Sequence, residues 1–567
     1  MLIRTPAVLG AGVFVLLVAF SPQLGAPAFT ARAVVLVIVA VVGLAPLSRL
    51  AWRRDLAALA ALSFVTWAAV ATVAAGTPLA WTGRYNLGTG WVFVVAVASA
   101  WAIGRELPAD ARRSLEIGLL AGVALNVAVA VLQLWWAPDA AQLSLIDGRS
   151  TGLLGNAVFL GAVSAIGATV AAGSTWLGIV PAGIITAGLA SGTQLSGSRA
   201  ALGMLLFAVA AGWITRRQTA ARAVITAAVL AGVIAGSVLQ TLSATDATAA
   251  TDRLAQTTTA GSFTQRLETW EAGIEAGLDH PVFGVGPGRF LAASSPRRSL
   301  DLARAAGPDA IFSDAHNLVI EHLATTGVPG VLALAVWLWI AGRGAWRGDR
   351  ALALAAAAGG AFHLLEPQNL VVTPLTALAL GVASKRHPPV AVGSRPSRSV
   401  RGAAPGATVV GIALVVGSRL LVGDYAARQA VLDFDAPKAS SASDLLWPWA
   451  EPLALEARIA VFDALLSDAL ELSEQAIDRE PEEPALWGLN AGILTQLGRF
   501  DDAADAFAEV LARNPWSLQG LRGRAESLDA VGRFEAADAC RELIDLVRSQ
   551  TRDGSGRSRS RLICLEG

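Results

Sequence analysis

Ser313-Asp314-Ala315-His316-Asn317-Leu318 stands where a long polar segment ends and an apolar run, 317–341, begins. A helix needs about 20 apolar residues to cross a hydrocarbon layer, so the run reads as a span. The histidine then sits at a water–membrane boundary, where an imidazole can gain or lose a proton near neutral pH. Whether the rest of the chain supports that reading decides the fold.

It does. Apolar runs recur at 7–20, 31–47, 56–75, 89–104, 115–136, 152–171, 176–193, 200–214, 222–240, 317–341, 351–366, 369–384 and 406–423. Because several are short, the expectation is about 12 to 14 spans. The 567 residues are 54% hydrophobic and 16% charged, too apolar for a soluble protein of this length. Lipid leaves no water for unpaired backbone groups, so an all-α transmembrane bundle is the fold that fits. The first run has only Arg4 before it and more spans after it, and reads as a span rather than a cleaved signal. Zero formal net charge gives no field for nucleic acid. Cys540 and Cys564 supply neither a disulfide framework nor metal-ligand spacing.

Basic residues cluster in alternate short loops: Arg49, Arg53 and Arg54; Arg105, Arg112 and Arg113; Arg216, Arg217 and Arg222; Arg343, Arg347 and Arg350; then Lys385, Arg386, Arg395, Arg398 and Arg401. With thirteen alternating runs these all fall on one side, which the positive-inside rule makes cytoplasmic. The N-terminus is then inside. The segment 241–315 and everything after Gly423 are outside. Domain boundaries follow: a membrane domain at 1–423 and an external repeat domain at 424–549. An Arg/Ser/Gly-rich tail, 550–567, has the composition of a disordered segment.

The external segment 241–315 is about 75 residues long, and loops of that length are usually functional. After a Thr/Ala/Ser-rich opening, Phe263, Leu267, Trp270, Ile274 and Leu278 recur at helical spacing, as in a helix lying on the membrane surface with its Trp at headgroup level. His280-Pro281-Val282-Phe283-Gly284-Val285-Gly286-Pro287-Gly288-Arg289-Phe290 then ends any helix. In the tail, Leu497-Gly498-Arg499-Phe500-Asp501-Asp502-Ala503 recurs 34 residues on as Val531-Gly532-Arg533-Phe534-Glu535-Ala536-Ala537, and Pro481 and Pro515 share the offset. That period is the signature of tetratricopeptide repeats, stacked helix pairs with a concave surface for a protein partner. Two repeats are visible, and a degenerate region at 455–480 completes the stack.

Three groups on the outer side carry the chemistry: Arg199 in Ser196-Gly197-Ser198-Arg199, Arg266 at the start of the loop helix, and His316. Guanidinium groups bind phosphate oxygens in a bidentate way and offset charge on a departing pyrophosphate. A histidine takes a proton from a hydroxyl. Each has a plainer reading: Arg199 as an interface anchor, Arg266 as a partner of Glu268 or Glu271, His316 as a helix-start residue. Arg149, Asn156 and Asn317 read as turn or cap residues as readily as substrate ligands, and Gly286-Pro287-Gly288 as a tight turn rather than a phosphate loop. Nothing completes a metal site beside Asp314 and His316, so no metal or cofactor is expected. Glu321, His322, His363 and Glu366 read as a supporting layer or buried pairs.

Together these pieces resemble the O-antigen ligase superfamily of polytopic bacterial glycosyltransferases, which includes Wzy-type polymerases and protein O-oligosaccharyltransferases. The resemblance rests on Arg149-Ser150-Thr151-Gly152-Leu153-Leu154-Gly155-Asn156, on Ser196 to Arg199, on Arg266, Trp270, Pro281 and Gly284 to Gly288 with Phe290, and on His316-Asn317 with Gly327-Val328-Pro329-Gly330. It implies a GT-C-type fold in the bacterial inner membrane. It also implies metal-independent transfer of a glycan from undecaprenyl pyrophosphate to an acceptor hydroxyl on a lipid, glycan or protein. His316 matches the proposed base, and Arg199 and Arg266 the pyrophosphate-binding arginines. Arg149, Asn156, Trp270, Arg289 and Asn317 are further substrate-binding candidates. The chain departs from the family twice: Ala157-Val158 follow Asn156 where Pro-Asn is common, and Arg289 replaces a small or polar residue. A transporter would place its polar groups at mid-membrane, and a scaffold would not need thirteen spans.

Overall fold

The computed structural model describes residues 6–108, 111–135, 145, 148–243, 261–384, 404–549 and 563–565. The Thr/Ala/Ser-rich opening of the external loop, the basic cluster from Lys385 to Arg401, and most of the Arg/Ser/Gly-rich tail lie outside them. The protein is all-α, and no strand forms among the described residues. Each apolar run falls on a helix: α1 (Pro6–Val18), α2 (Thr30–Trp52), α3 (Leu56–Ala75), α4 (Trp91–Glu106), α5 (Ala111–Gln133), α6 (Ala157–Gly173), α7 (Ile179–Leu195), α8 (Arg199–Thr215) and α9 (Thr219–Thr241) before the loop. The loop carries α10 (Gly261–Asp279) and α11 (Leu300–Ala306). After it come α12 (Leu318–Arg347), α13 (Arg350–Phe362), α14 (Val372–Ala383) and α15 (Ala404–Asp433).

Five of these, α2, α3, α5, α9 and α12, are long and apolar enough to cross a membrane, which with the shorter apolar helices makes this a multi-pass membrane protein. The full-length count is below the expected 12 to 14 because α1 and α13 have 13 residues each, α4 has 16, α6, α7 and α8 have 17 each and α14 has 12. Their ends are taken by polar turns.

The chain forms two compact units. The first comprises Met1–Trp67, Asn86–Thr258 and Leu332–Ser418. Its helices pack through small residues. A Cβ at Gly118 would overlap the carbonyl oxygen of Gly10, one at Gly232 that of Ala187, and one at Gly381 that of Trp101. Such close approach is how helices associate where lipid removes the hydrophobic drive between them. Arg32 is fully buried and donates to the carbonyls of Leu16, Leu17, Ala28 and Leu153, at 3.1, 3.3, 2.5 and 2.9 Å. It ties three segments together while satisfying its own donors.

The second unit comprises Ala68–Tyr85, Thr259–Val331 and Arg419–Gly567, so the external loop from Gly261 onward shares a unit with the tail. The tail holds α16 (Ala436–Leu445), α17 (Glu451–Phe462), α18 (Leu466–Arg479), α19 (Pro484–Gln496), α20 (Phe500–Arg513), α21 (Leu518–Ala530) and α22 (Phe534–Arg548). The last six form three antiparallel pairs, the degenerate region supplying the first. Ala464 explains the degeneracy. It stands one period before Gly498 and two before Gly532, and all three have positive φ, +59°, +74° and +81°. The turn needs a left-handed residue, and the first pair builds it without glycine.

The two cysteines correct the expectation drawn from their spacing. Residues 563–565 return to α22, Cys540 and Cys564 form a disulfide, and buried Arg524 donates to the carbonyls of Cys564 and Leu565. Spacing alone held no sign of this, because the pairing depends on that return.

Candidate active site

In the first unit, two polar turns fix the candidate residues. Gln133 of α5 accepts from the amides of Thr151 and Gly152, both at 3.0 Å, and Asn126 accepts from Leu153 at 2.9 Å. Gly152, at φ +58°, lies so close to Asn126 that a Cβ would collide with it. The 149–156 motif is therefore a turn written to fit α5. Asn156 caps α6, its Oδ1 accepting from Val158 at 2.8 Å and Phe159 at 3.4 Å. Ser196 Oγ bridges the Thr193 carbonyl and the Ser198 amide, Ser198 caps α8, and Gly161 of α6 leaves room for Ser196. Half-buried Arg199 is then the first residue of α8, where exposed amides and the helix dipole also favour an anion.

In the second unit, two glycine motifs pair with each other. α12 is broken at Gly327, with φ +69° and ψ −177°. The freed carbonyls of Ala324 and Thr325 accept from Val285 and Gly286, each at 2.9 Å, and Val328 donates to Pro281 at 2.8 Å. Gly284 and Gly327 have no room for a Cβ against the opposing backbone. Gly284 to Gly288 is thus a backbone dock for the broken helix, and this fixes where α12 begins.

That start carries His316. Asp314 Oδ1 lies 2.7 Å from His316 Nδ1 and accepts from the His316 amide at 2.9 Å. A carboxylate there selects the Nδ1–H tautomer and puts the lone pair on Nε2. The imidazole is 30% exposed, enough to meet substrate. Its backbone takes φ +50°, a conformation that persists only where the surroundings enforce it. They do so from three directions. Trp270 Nε1 donates to the Ala315 carbonyl at 2.9 Å. Buried Glu321 accepts from the Ala315 amide at 2.9 Å. Asn317 Oδ1 caps α12 through Val319 and Ile320, at 2.9 and 3.2 Å. Trp270 and Glu321 thus support the histidine turn.

Half-buried Arg266 lies one turn before Trp270 on α10. Glu268, a candidate partner, accepts from Ser299 Oγ at 2.6 Å. The face of α10 opposite its packing keeps Leu267, Ile274 and Leu278 exposed, and the apolar surface continues in Val282 and Phe283. Arg289 turns to the repeats, its Nε 3.0 Å from Glu482 and its Nη1 2.9 Å from the Val285 carbonyl. Arg266, Trp270, Arg289, His316 and Asn317 belong to the second unit, and Arg149, Asn156 and Arg199 to the first.

Residues 184–335 match a family model described as O-Antigen ligase. That match includes Arg199, Arg266, Trp270, Arg289, His316 and Asn317, and begins after Arg149 and Asn156. It supports a membrane glycan-transfer or ligase-type function. Residues 466–517 match the tetratricopeptide repeat model. No curated protein matches the chain.

Proposed function

We propose that this protein is an inverting membrane glycosyltransferase that moves a glycan from undecaprenyl pyrophosphate to an acceptor hydroxyl at the outer face of the inner membrane. The observation that carries the reading is the Asp314–His316 pair, held partly exposed at the start of an apolar helix inside the O-antigen ligase match. His316 Nε2 takes the acceptor's hydroxyl proton. The oxygen attacks the anomeric carbon, the bond from that carbon to pyrophosphate breaks, and undecaprenyl pyrophosphate leaves with the electron pair. Arg199 and Arg266 offset the charge that grows on the leaving group. The apolar stripe of α10 suits a lipid surface, and the Cys540–Cys564 disulfide suits an oxidising compartment, both in keeping with an outer-face site.

His316→Ala is expected to fold and insert normally yet lose transfer, measured as release of undecaprenyl pyrophosphate by protein purified in lipid nanodiscs. Full activity in a folded variant overturns the assignment. Activity is also expected to survive a chelator, since the arginines carry the charge.

A further inference from the structure

The loops that join one repeat to the next occupy equivalent positions of the 34-residue period. Glu480-Pro481-Glu482-Glu483 follows α18, and Asn514-Pro515-Trp516-Ser517 follows α20. Both are turned to the chain's own segments. In the first, Glu483 pairs with Arg84, Glu480 lies 4.0 Å from the same guanidinium, and Glu482 holds Arg289.

The second loop grips the strand of chain that leads to His316. Asn514 Oδ1 accepts from Arg298 Nη1 at 3.2 Å, and its Nδ2 donates to the Pro308 carbonyl at 3.0 Å. Trp516 Nε1 donates to the Arg298 carbonyl at 2.9 Å, and Ser517 Oγ to Asp309 at 2.6 Å. Arg298 itself is buried and donates to the carbonyls of Gly307 and Pro308. Burial pushes its guanidinium down to about 10, with Asp309 opposing that shift. Apolar contacts back the polar ones, since Leu300 and Ala303 of α11 share a core with Leu511, Trp516 and Leu543. Arg304 reaches the Leu546 carbonyl at 2.6 Å.

Asp309 is seven residues from His316. The backbone of His316 is left-handed and is held from Trp270, Glu321 and Asn317 on its own side. The repeat loop fixes the other end of the segment. Arg298 Nε has no hydrogen-bond partner among the described residues, but both terminal nitrogens of the guanidinium are matched, and removing one partner of a buried polar group leaves the other unsatisfied.

We propose that Asn514, Trp516 and Ser517 are positioning residues for His316, so that the repeat domain is a working part of the transfer site as well as a surface for partners. This rests on the reading of His316 as the base. A displacement of about 1 Å in a reacting group can cost ~100-fold in rate without weakening substrate binding.

The test uses the full chain in nanodiscs, with an undecaprenyl-pyrophosphate-linked oligosaccharide as donor and release of undecaprenyl pyrophosphate as readout. Trp516→Phe keeps an aromatic side chain but removes the indole N–H donor and some buried volume, and Asn514→Ala removes both of its side-chain hydrogen bonds. The double variant is expected to lose at least about tenfold in kcat, with KM for the donor within about twofold. Hydrogen exchange of amides 307–317 is expected to rise while α19 to α22 stay protected. Ser517 also caps α21 through the Gly520 amide, so Ser517→Ala is expected to show the effect at 307–317 more weakly together with faster exchange at the start of α21, and Ser517→Thr, which keeps the hydroxyl, to restore both. Unchanged exchange, or faster exchange with unchanged kcat, overturns the proposal. His316→Ala, run alongside, reports on the base assignment alone. If that variant stays active the base reading fails, while kcat and exchange in the repeat-loop variants still decide the clamp.

Discussion

His316 shows how a single residue acquires a role from its neighbours. Composition places it at a boundary, and the structure gives it a carboxylate on one nitrogen and an enforced left-handed backbone. Asp314→Asn tests the charge and orientation together, because one oxygen, Oδ1, meets both the His316 amide and Nδ1, and an amide that turns its NH2 to the ring loses the backbone bond as well. An amide can present its NH2 to Nδ1 and favour the wrong tautomer, the effect that costs a serine-protease triad about 10⁴ in kcat when its Asp becomes Asn. Here, with a partly exposed histidine and a proposed direct displacement, we expect a loss of ~100-fold or more in kcat with little change in donor KM. Equal kcat in a variant of matching thermal stability would remove Asp314 from the mechanism. Trp270, Glu321 and Asn317 were each readable as types, a boundary aromatic, a supporting acid and a cap. Their convergence on residues 315–320 was not, since it depends on how α10 meets the start of α12. Arg289 shows the same limit. Its sequence neighbourhood is a glycine turn, and its carboxylate partner, Glu482, lies 193 residues away.

At the scale of elements, legibility follows locality. The 34-residue period fixed the repeat helices because each turn is a local event, and the apolar runs fixed the bundle because lipid permits little else. The docking of Gly284 to Gly288 on the break at Gly327 is non-local, so two glycine motifs read as separate turns are one joint. The buried clamp of Arg32 and the return of Cys564 were hidden for the same reason. Ala464 gives a sharp test. An L-residue in the left-handed region costs about 1–2 kcal/mol, partly offset by the entropy that glycine loses on folding. Ala464→Gly is therefore expected to stabilise the repeat unit by ~1 kcal/mol. Thermal unfolding followed by tryptophan emission checks this, and an unchanged or lower midpoint would show that the α17–α18 turn relaxes without glycine.

At the scale of the whole molecule, the open quantity is which side of the membrane each unit faces. Two independent features of the chain predict the same answer for the repeats. Basic loops alternate along the sequence, and with thirteen runs they put residues after Gly423 outside. The disulfide joins the only two cysteines in the chain, and such bonds persist in oxidising compartments. The exposed apolar stripe of α10 belongs to the same unit as the repeats and suits a lipid surface on whichever side that unit lies. With the only thiols in the repeat unit, the wild-type chain is its own probe. In intact cells with the outer envelope made permeable, mild reduction by a membrane-impermeant phosphine followed by an impermeant maleimide should label both cysteines. Without reduction it should label neither. Labelling only after the inner membrane is opened would place the repeats in the cytoplasm. It would also move His316 of the same unit to the inner face and overturn the proposed outer-face site. The orientation of one disulfide thus decides the side on which glycan transfer occurs.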